Sequence, residues 1–197
     1  LIYNDNGVLI SQGILDDAGN RNGKWKDLYS NGKIQAEGQF ADNGRTGQWK
    51  FYNPGQKLEQ TGSFNNGRPD GLWKWYYDNG ELLREEEYFQ GQRDGLYMEY
   101  AEGGDVIAQG QYIDGEKNGD WKFKSRDISE EGKYLVGLKD GVWKSFYVTG
   151  KLKFKGNYIQ GSPDGTQLFY YEDGKIKEEQ NYKNGFREKT WKKFNED

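Results

Sequence analysis

A Gly-x-Trp step returns through this chain at a near-constant interval, and a sequence that repeats itself folds as a repeat of one small unit. Gly23-Lys24-Trp25 is followed by Gly47-Gln48-Trp49, Gly71-Leu72-Trp73, Gly95-Leu96-Tyr97, Gly119-Asp120-Trp121, Gly141-Val142-Trp143 and Gly165-Thr166-Gln167, and Trp191 closes the series. Successive ring positions lie 24, 24, 24, 24, 22, 24 and 24 residues apart. Residues 1 to 22 fit the frame as a partial unit, with Gly7, Leu9 and Gly13 in phase, so the sequence is expected to open inside a repeat.

Within a unit, Trp73-Lys74-Trp75-Tyr76-Tyr77 is an aromatic run closed by Asp78-Asn79-Gly80, and Leu82 to Tyr88 is a second run closed by Gln90-Gly91-Gln92-Arg93-Asp94-Gly95. This reads as strand, tight turn, strand, longer turn. The 29 glycines leave no uninterrupted helical window, because each costs about 1 kcal/mol inside a helix. The expected fold is all-β: an elongated single-layer antiparallel sheet of about eight stacked β-hairpins, roughly 14 to 16 strands and roughly 70–80 Å long, forming one repeat domain over residues 1–197.

Hydrophobic residues are only 33% of the 197, yet rings are 16% of the chain, so aromatic side chains must serve as the core. The chain has no Cys and no His, which removes thiolate and imidazole chemistry, disulfides, and the commonest metal sites. No cofactor and no metal are expected. Asp plus Glu (32) outnumber Lys plus Arg (28), which argues against a nucleic-acid partner, and no apolar run approaches the length of a transmembrane helix. The first residue is Leu1 rather than Met, so localisation stays open between bacterial cytoplasm, envelope and secretion.

Alternation sets Trp73, Trp75 and Tyr77 on one face and Leu72, Lys74 and Tyr76 on the other. In the second strands a glycine recurs before the closing aromatic, at Gly38, Gly62, Gly110, Gly132 and Gly156. A bare glycine inside a strand is tolerated where a ring covers it, so each is expected to lie under a Trp of an adjacent strand.

The run Phe64-Asn65-Asn66-Gly67-Arg68-Pro69-Asp70-Gly71-Leu72-Trp73, echoed from Tyr158 to Gly165, resembles the MORN repeat. The Gly150-Lys151-Leu152 step and the period are similar to its bacterial antitoxin-type variant. The resemblance covers nearly the whole chain and implies an open, twisted single-layer sheet, an interaction scaffold, and a toxin-neutralising partner role. The sequence departs from the pattern where Tyr97 and Gln167 replace the leading Trp, Glu86 and Gln180 the strand Gly, and Lys189 the turn Gly; the last repeat is expected to be truncated or capping.

The leading Trp at each step is expected to be core, so candidate partner-binding residues are the rings outside that frame and their neighbours: Phe51, Trp75, Tyr77, Tyr97 and Phe123. Lys26, Lys50, Lys74, Lys122, Lys144 and Lys192 face Glu37, Glu59, Glu85, Glu87 and Glu179, which reads as a cross-strand ion-pair ladder rather than a lipid site. Asp70, Asp94, Asp140 and Asp164 precede glycines and read as turn residues, not as a catalytic pair. The 22-residue step around Ser125 to Gly132 lacks a turn glycine and is the most irregular place.

The leading function is a non-catalytic scaffold that binds another protein, in its specific form a bacterial toxin or effector to be neutralised or chaperoned. The alternative is a glycan or cell-surface binding module that stacks its rings on sugars. End strands of an open sheet would also permit self-association.

Overall fold

The computed structural model describes residues 1–195; the side chains of residues 189 and 190 are outside it, and so is the departure at Lys189. Among the described residues the chain is all-β, with seventeen strands, one more than the upper expectation. It divides into two compact units, Leu1–Asp105 and Val106–Asp197.

The first unit holds β1 (Ile2–Tyr3), β2 (Leu9–Leu15), β3 (Arg21–Leu28), β4 (Ile34–Ala41), β5 (Gly44–Tyr52), β6 (Leu58–Asn65), β7 (Arg68–Tyr76), β8 (Leu82–Phe89) and β9 (Gln92–Tyr100). The second holds β10 (Val106–Ile113), β11 (Glu116–Lys124), β12 (Ile128–Leu135), β13 (Leu138–Tyr147), β14 (Leu152–Ile159), β15 (Ser162–Tyr170), β16 (Ile176–Lys183) and β17 (Phe186–Lys193). Within each unit every strand pairs antiparallel with the next in sequence, so each is an open meander.

The two turn lengths are the reverse of the sequence expectation. Gln90-Gly91 alone joins β8 to β9, with φ of 49° and 92°, and Asn66-Gly67 joins β6 to β7 with 48° and 78°. Two positive φ values match the right-handed strand twist, which is why Asn-Gly and its relatives make the tight turn. The Asp78-Asn79-Gly80 signal sits instead in a five-residue loop closed by Tyr77 N to Glu81 O and Gly80 N to Tyr77 O, both 2.9 Å. Asp70, read as a turn residue, lies inside β7, and its neighbour Gly71 (φ 76°) relaxes the strand there. The Asp70 carboxylate accepts Gln90 N at 3.3 Å, tying one tight turn to the strand beside it.

The 22-residue step is absorbed in a loop. Ser125 to Asp127 replace the usual five residues, closed by Ser125 N to Ile128 O at 2.8 Å, and Lys122 still pairs in register with Glu131.

Candidate functional site

Five of the six leading Trp residues lie flat on the glycine of the preceding strand. A Cβ built on Gly38 would stand 2.3 Å from the Trp49 ring, and the same holds for Gly13 under Trp25, Gly62 under Trp73, Gly110 under Trp121 and Gly132 under Trp143. The indole N–H then donates to the carbonyl just after that glycine: Trp49 to Gln39 O at 3.1 Å, Trp73 to Ser63 O at 3.1 Å, Trp143 to Lys133 O at 2.9 Å. All five rings are buried although the strand layer is single. Complete burial of ~200 Å² of ring contributes about 5 kcal/mol, the main source of cohesion available to so thin a sheet.

Three departures show how the shelf is built. Gln167 keeps the donor, Nε2 to Asn157 O at 2.9 Å, while the Phe154 ring supplies bulk over Gly156. Glu86, in place of the glycine opposite Tyr97, is 1% exposed and held by Arg84 Nε at 3.3 Å, Arg93 Nε at 3.4 Å and the Tyr88 hydroxyl at 2.6 Å. Burial, with that carboxylate beside it, pushes the Tyr88 hydroxyl above its ordinary pKa. Where Gln180 replaces the glycine, Trp191 cannot lie down: it is 48% exposed and donates to the Glu178 carboxylate at 2.6 Å.

The five sequence candidates fall on or beside this ring column, and none is among the exposed rings. Phe51 is half-buried between Trp49 and Trp73, 6.1 Å from each. Trp75 sits 6.2 Å from Trp73 under the Arg84 guanidinium at 4.2 Å. Phe123 stacks between Trp121 and Trp143. Tyr97 donates to Glu99 at 2.7 Å, and Tyr77 lies past the end of β7, where its hydroxyl donates to Tyr100 O at 2.7 Å. The Tyr77 bond recurs as Tyr29 to Tyr52 O, Tyr147 to Tyr170 O and Tyr171 to Phe194 O, tying successive loops together.

Cations cover the column from outside. Arg21 lies over Trp25 at 5.0 Å, Arg45 over Trp49 at 4.4 Å, Lys117 over Trp121 at 4.3 Å and Lys139 over Trp143 at 3.9 Å. These positions went unread in the sequence, although each stands four residues before its Trp. A cation over a ring adds roughly 0.5–1 kcal/mol and closes this face to solvent.

The opposite face is polar and open. One row crosses the first unit in register as Gln12, Lys26, Glu37, Lys50, Thr61, Lys74, Glu85 and Met98. Its ion pairs include Lys26–Glu37 at 4.0 Å and Lys74–Glu85 at 2.9 Å. Burial pushes the Glu85 carboxyl up, but hydrogen bonds from Lys74 and Tyr100 and the Lys74 charge outweigh it, leaving it below the usual range. Glu59 and Glu87 are not in this row: Lys50 has Glu37 and Thr61 as neighbours, and Glu87 accepts Leu96 N at 2.7 Å.

In the second unit the row reads Lys122, Glu131, Lys144, Lys155, Leu168, Glu179 and Lys192. Here Lys144 and Lys155 stand directly opposite each other. A groove of about 720 Å³ opens over them, lined by Lys122, Glu131, Lys133, Val142, Lys144 and Lys155 among others. The corresponding groove of the first unit, about 650 Å³, is lined by Lys24, Lys26, Glu37 and Lys50 with neutral glutamines.

Four segments, residues 21–42, 69–90, 139–160 and 163–184, match the family described as the MORN repeat variant. These four segments are similar to MORN repeats. In this structure the first and third matched segments each span a cation, a shelf-lying Trp, a five-residue loop and a shelf glycine (Arg21, Trp25 and Gly38; Lys139, Trp143 and Gly156), whereas the second pairs Trp73 with Glu86 and the fourth Gln167 with Gln180. No curated protein matches the chain in sequence.

Proposed function

We propose that this protein is a non-catalytic MORN-type scaffold that binds another protein through the lysine-bearing face of its sheet. One observation carries the reading: the aromatic face is closed by its own rings and cations, whereas exposed apolar side chains such as Leu72, Leu135, Leu138, Val142 and Ile159 stand on the opposite face. Apolar groups left in water beside charged ones are what a protein partner covers. The half-buried rings offer no open stacking platform, which weighs against the glycan reading. By resemblance to the antitoxin-type branch of the repeat, the partner is a bacterial toxin or effector that the chain neutralises or chaperones.

Affinity capture with crosslinking from a bacterial lysate and an envelope fraction tests this. The expected result is one protein recovered at near-equal amount, crosslinked to lysines of the polar face. Recovery on polysaccharide beads that survives high salt, without a protein partner, would overturn it.

A further inference from the structure

Along the polar row every lysine but two meets only carboxylates or neutral side chains on the neighbouring strands, and the exception lies in the second unit. Lys26 meets Glu37, Lys74 meets Glu85 and Lys122 meets Glu131, but Lys144 meets Lys155. Like charges directly opposite destabilise a sheet. Glu131 lies 4.0 Å from Lys144, and among the described residues Lys155 makes no ion pair. Lys122 and Lys133 are exposed on the same groove, so four ammonium groups there face the carboxylates of Glu131 and Asp120. The second unit as a whole is the more basic, with 17 Lys and Arg against 15 Asp and Glu where the first has 11 against 17.

A second row runs beside the first, nearer the tight turns. Leu135 and Leu138 pair across β12 and β13, with Ile113 and Ile159 at the matching positions of β10 and β14, and all four are 45–53% exposed. Alternation from Glu131 through Lys133 to Leu135 puts this row on the lysine face. At the same level of the first unit stand Ala41, Asn65 and the exposed Phe89, and the exposed Ile14 lines that unit's lysine groove, so what the second unit adds is the row of four exposed aliphatic side chains beside two facing lysines.

We propose that this groove receives an acidic segment of a partner protein that carries apolar residues along one side. Carboxylates of the segment would meet Lys144 and Lys155, and its apolar side chains would cover Leu135, Leu138 and Ile159. An inorganic anion or a sugar-phosphate chain would use the lysines and leave the leucines in water. The inference rests on the scaffold reading above and narrows it to one face of one unit.

The test uses the full chain and a fluorescein-labelled synthetic peptide of Glu with Leu at every third or fourth position, read by fluorescence anisotropy. An all-Glu peptide of equal length, heparin, and phosphatidylcholine vesicles containing phosphatidylserine are the comparators. The Glu/Leu peptide is expected to bind most tightly and to weaken as salt rises from about 50 to about 300 mM. Lys155→Glu should weaken it by roughly tenfold or more while leaving the melting temperature unchanged or raised, because Lys144 then meets an opposite charge in place of a like one. Leu138→Ser should reduce the peptide to the affinity of the all-Glu one. Equal binding by Lys155→Glu, or tighter binding of heparin or vesicles, overturns the proposal. A captured partner held equally by wild type and Lys155→Glu overturns this groove alone and leaves the scaffold reading standing. Peptide binding with no partner captured from either fraction supports the groove and counts against the scaffold reading.

Discussion

A glycine in this protein is a seat for a ring. Gly38 has ordinary strand φ, so alanine there would suffer no backbone strain, only a methyl 2.3 Å from the Trp49 ring. Gly38→Ala is therefore expected to cost about 3 kcal/mol, read as a lowered denaturant midpoint with Trp emission shifting red. Unchanged stability and emission would mean that the ring is not seated there. Val136 shows the opposite fault: a β-branched residue at φ 48° in a two-residue turn, 64% exposed, where other units place Asn, Gln or Asp. Val136→Asn should raise stability by about 1 kcal/mol, seen as a higher melting temperature. The ring-on-glycine contact was legible in the sequence because both partners recur in phase. The burial of Phe51, Trp75 and Phe123 was not, since nothing in their spacing distinguishes a ring filling the gap between two Trp residues from one facing water.

At the scale of strands and loops, sequence signals located most turns but missed Val136-Gly137 and misjudged the turn lengths. Asn66-Gly67 and Asp78-Asn79-Gly80 are both strong turn signatures, and only the bond from Tyr77 N to Glu81 O makes the second a five-residue loop. The tyrosine ties between loops were invisible for the same reason, since each joins a side chain to a carbonyl 23 residues away. Tyr77→Phe should cost about 1 kcal/mol, measured by denaturant unfolding. Tyr52 gives a pH handle: burial, then its hydrogen bond to Glu37, pushes its pKa from 10.0 to about 12. A folded pKa above the unfolded one means that this contribution is fully present below pH 10 and is lost as pH rises through about 12. Absorbance titration of tyrosinate in wild type and Glu37→Gln checks it; the variant should ionise at lower pH.

Across each unit, contacts join strands that are neighbours in sequence, so stability is a chain of nearest-neighbour terms. Amide hydrogen exchange should therefore be fast in β1, which pairs only through Ile2 and Tyr3, and slow in β4 to β7, flanked on both sides. Uniform protection from β1 to β7 would contradict this picture. The shelf glycine and its ring lie 11 residues apart, as Gly38 to Trp49 and Gly62 to Trp73, while in the regular repeats the Trp also stands in register beside the next glycine, as Trp49 beside Gly62. A regular stretch of 24 residues such as 38–61 thus carries one seat and one occupant. A tandem duplication or a clean excision of one such stretch leaves each ring of the regular repeats with a glycine to lie on, so genes for chains like this one can grow or shrink by whole units without passing through an unfolded intermediate form.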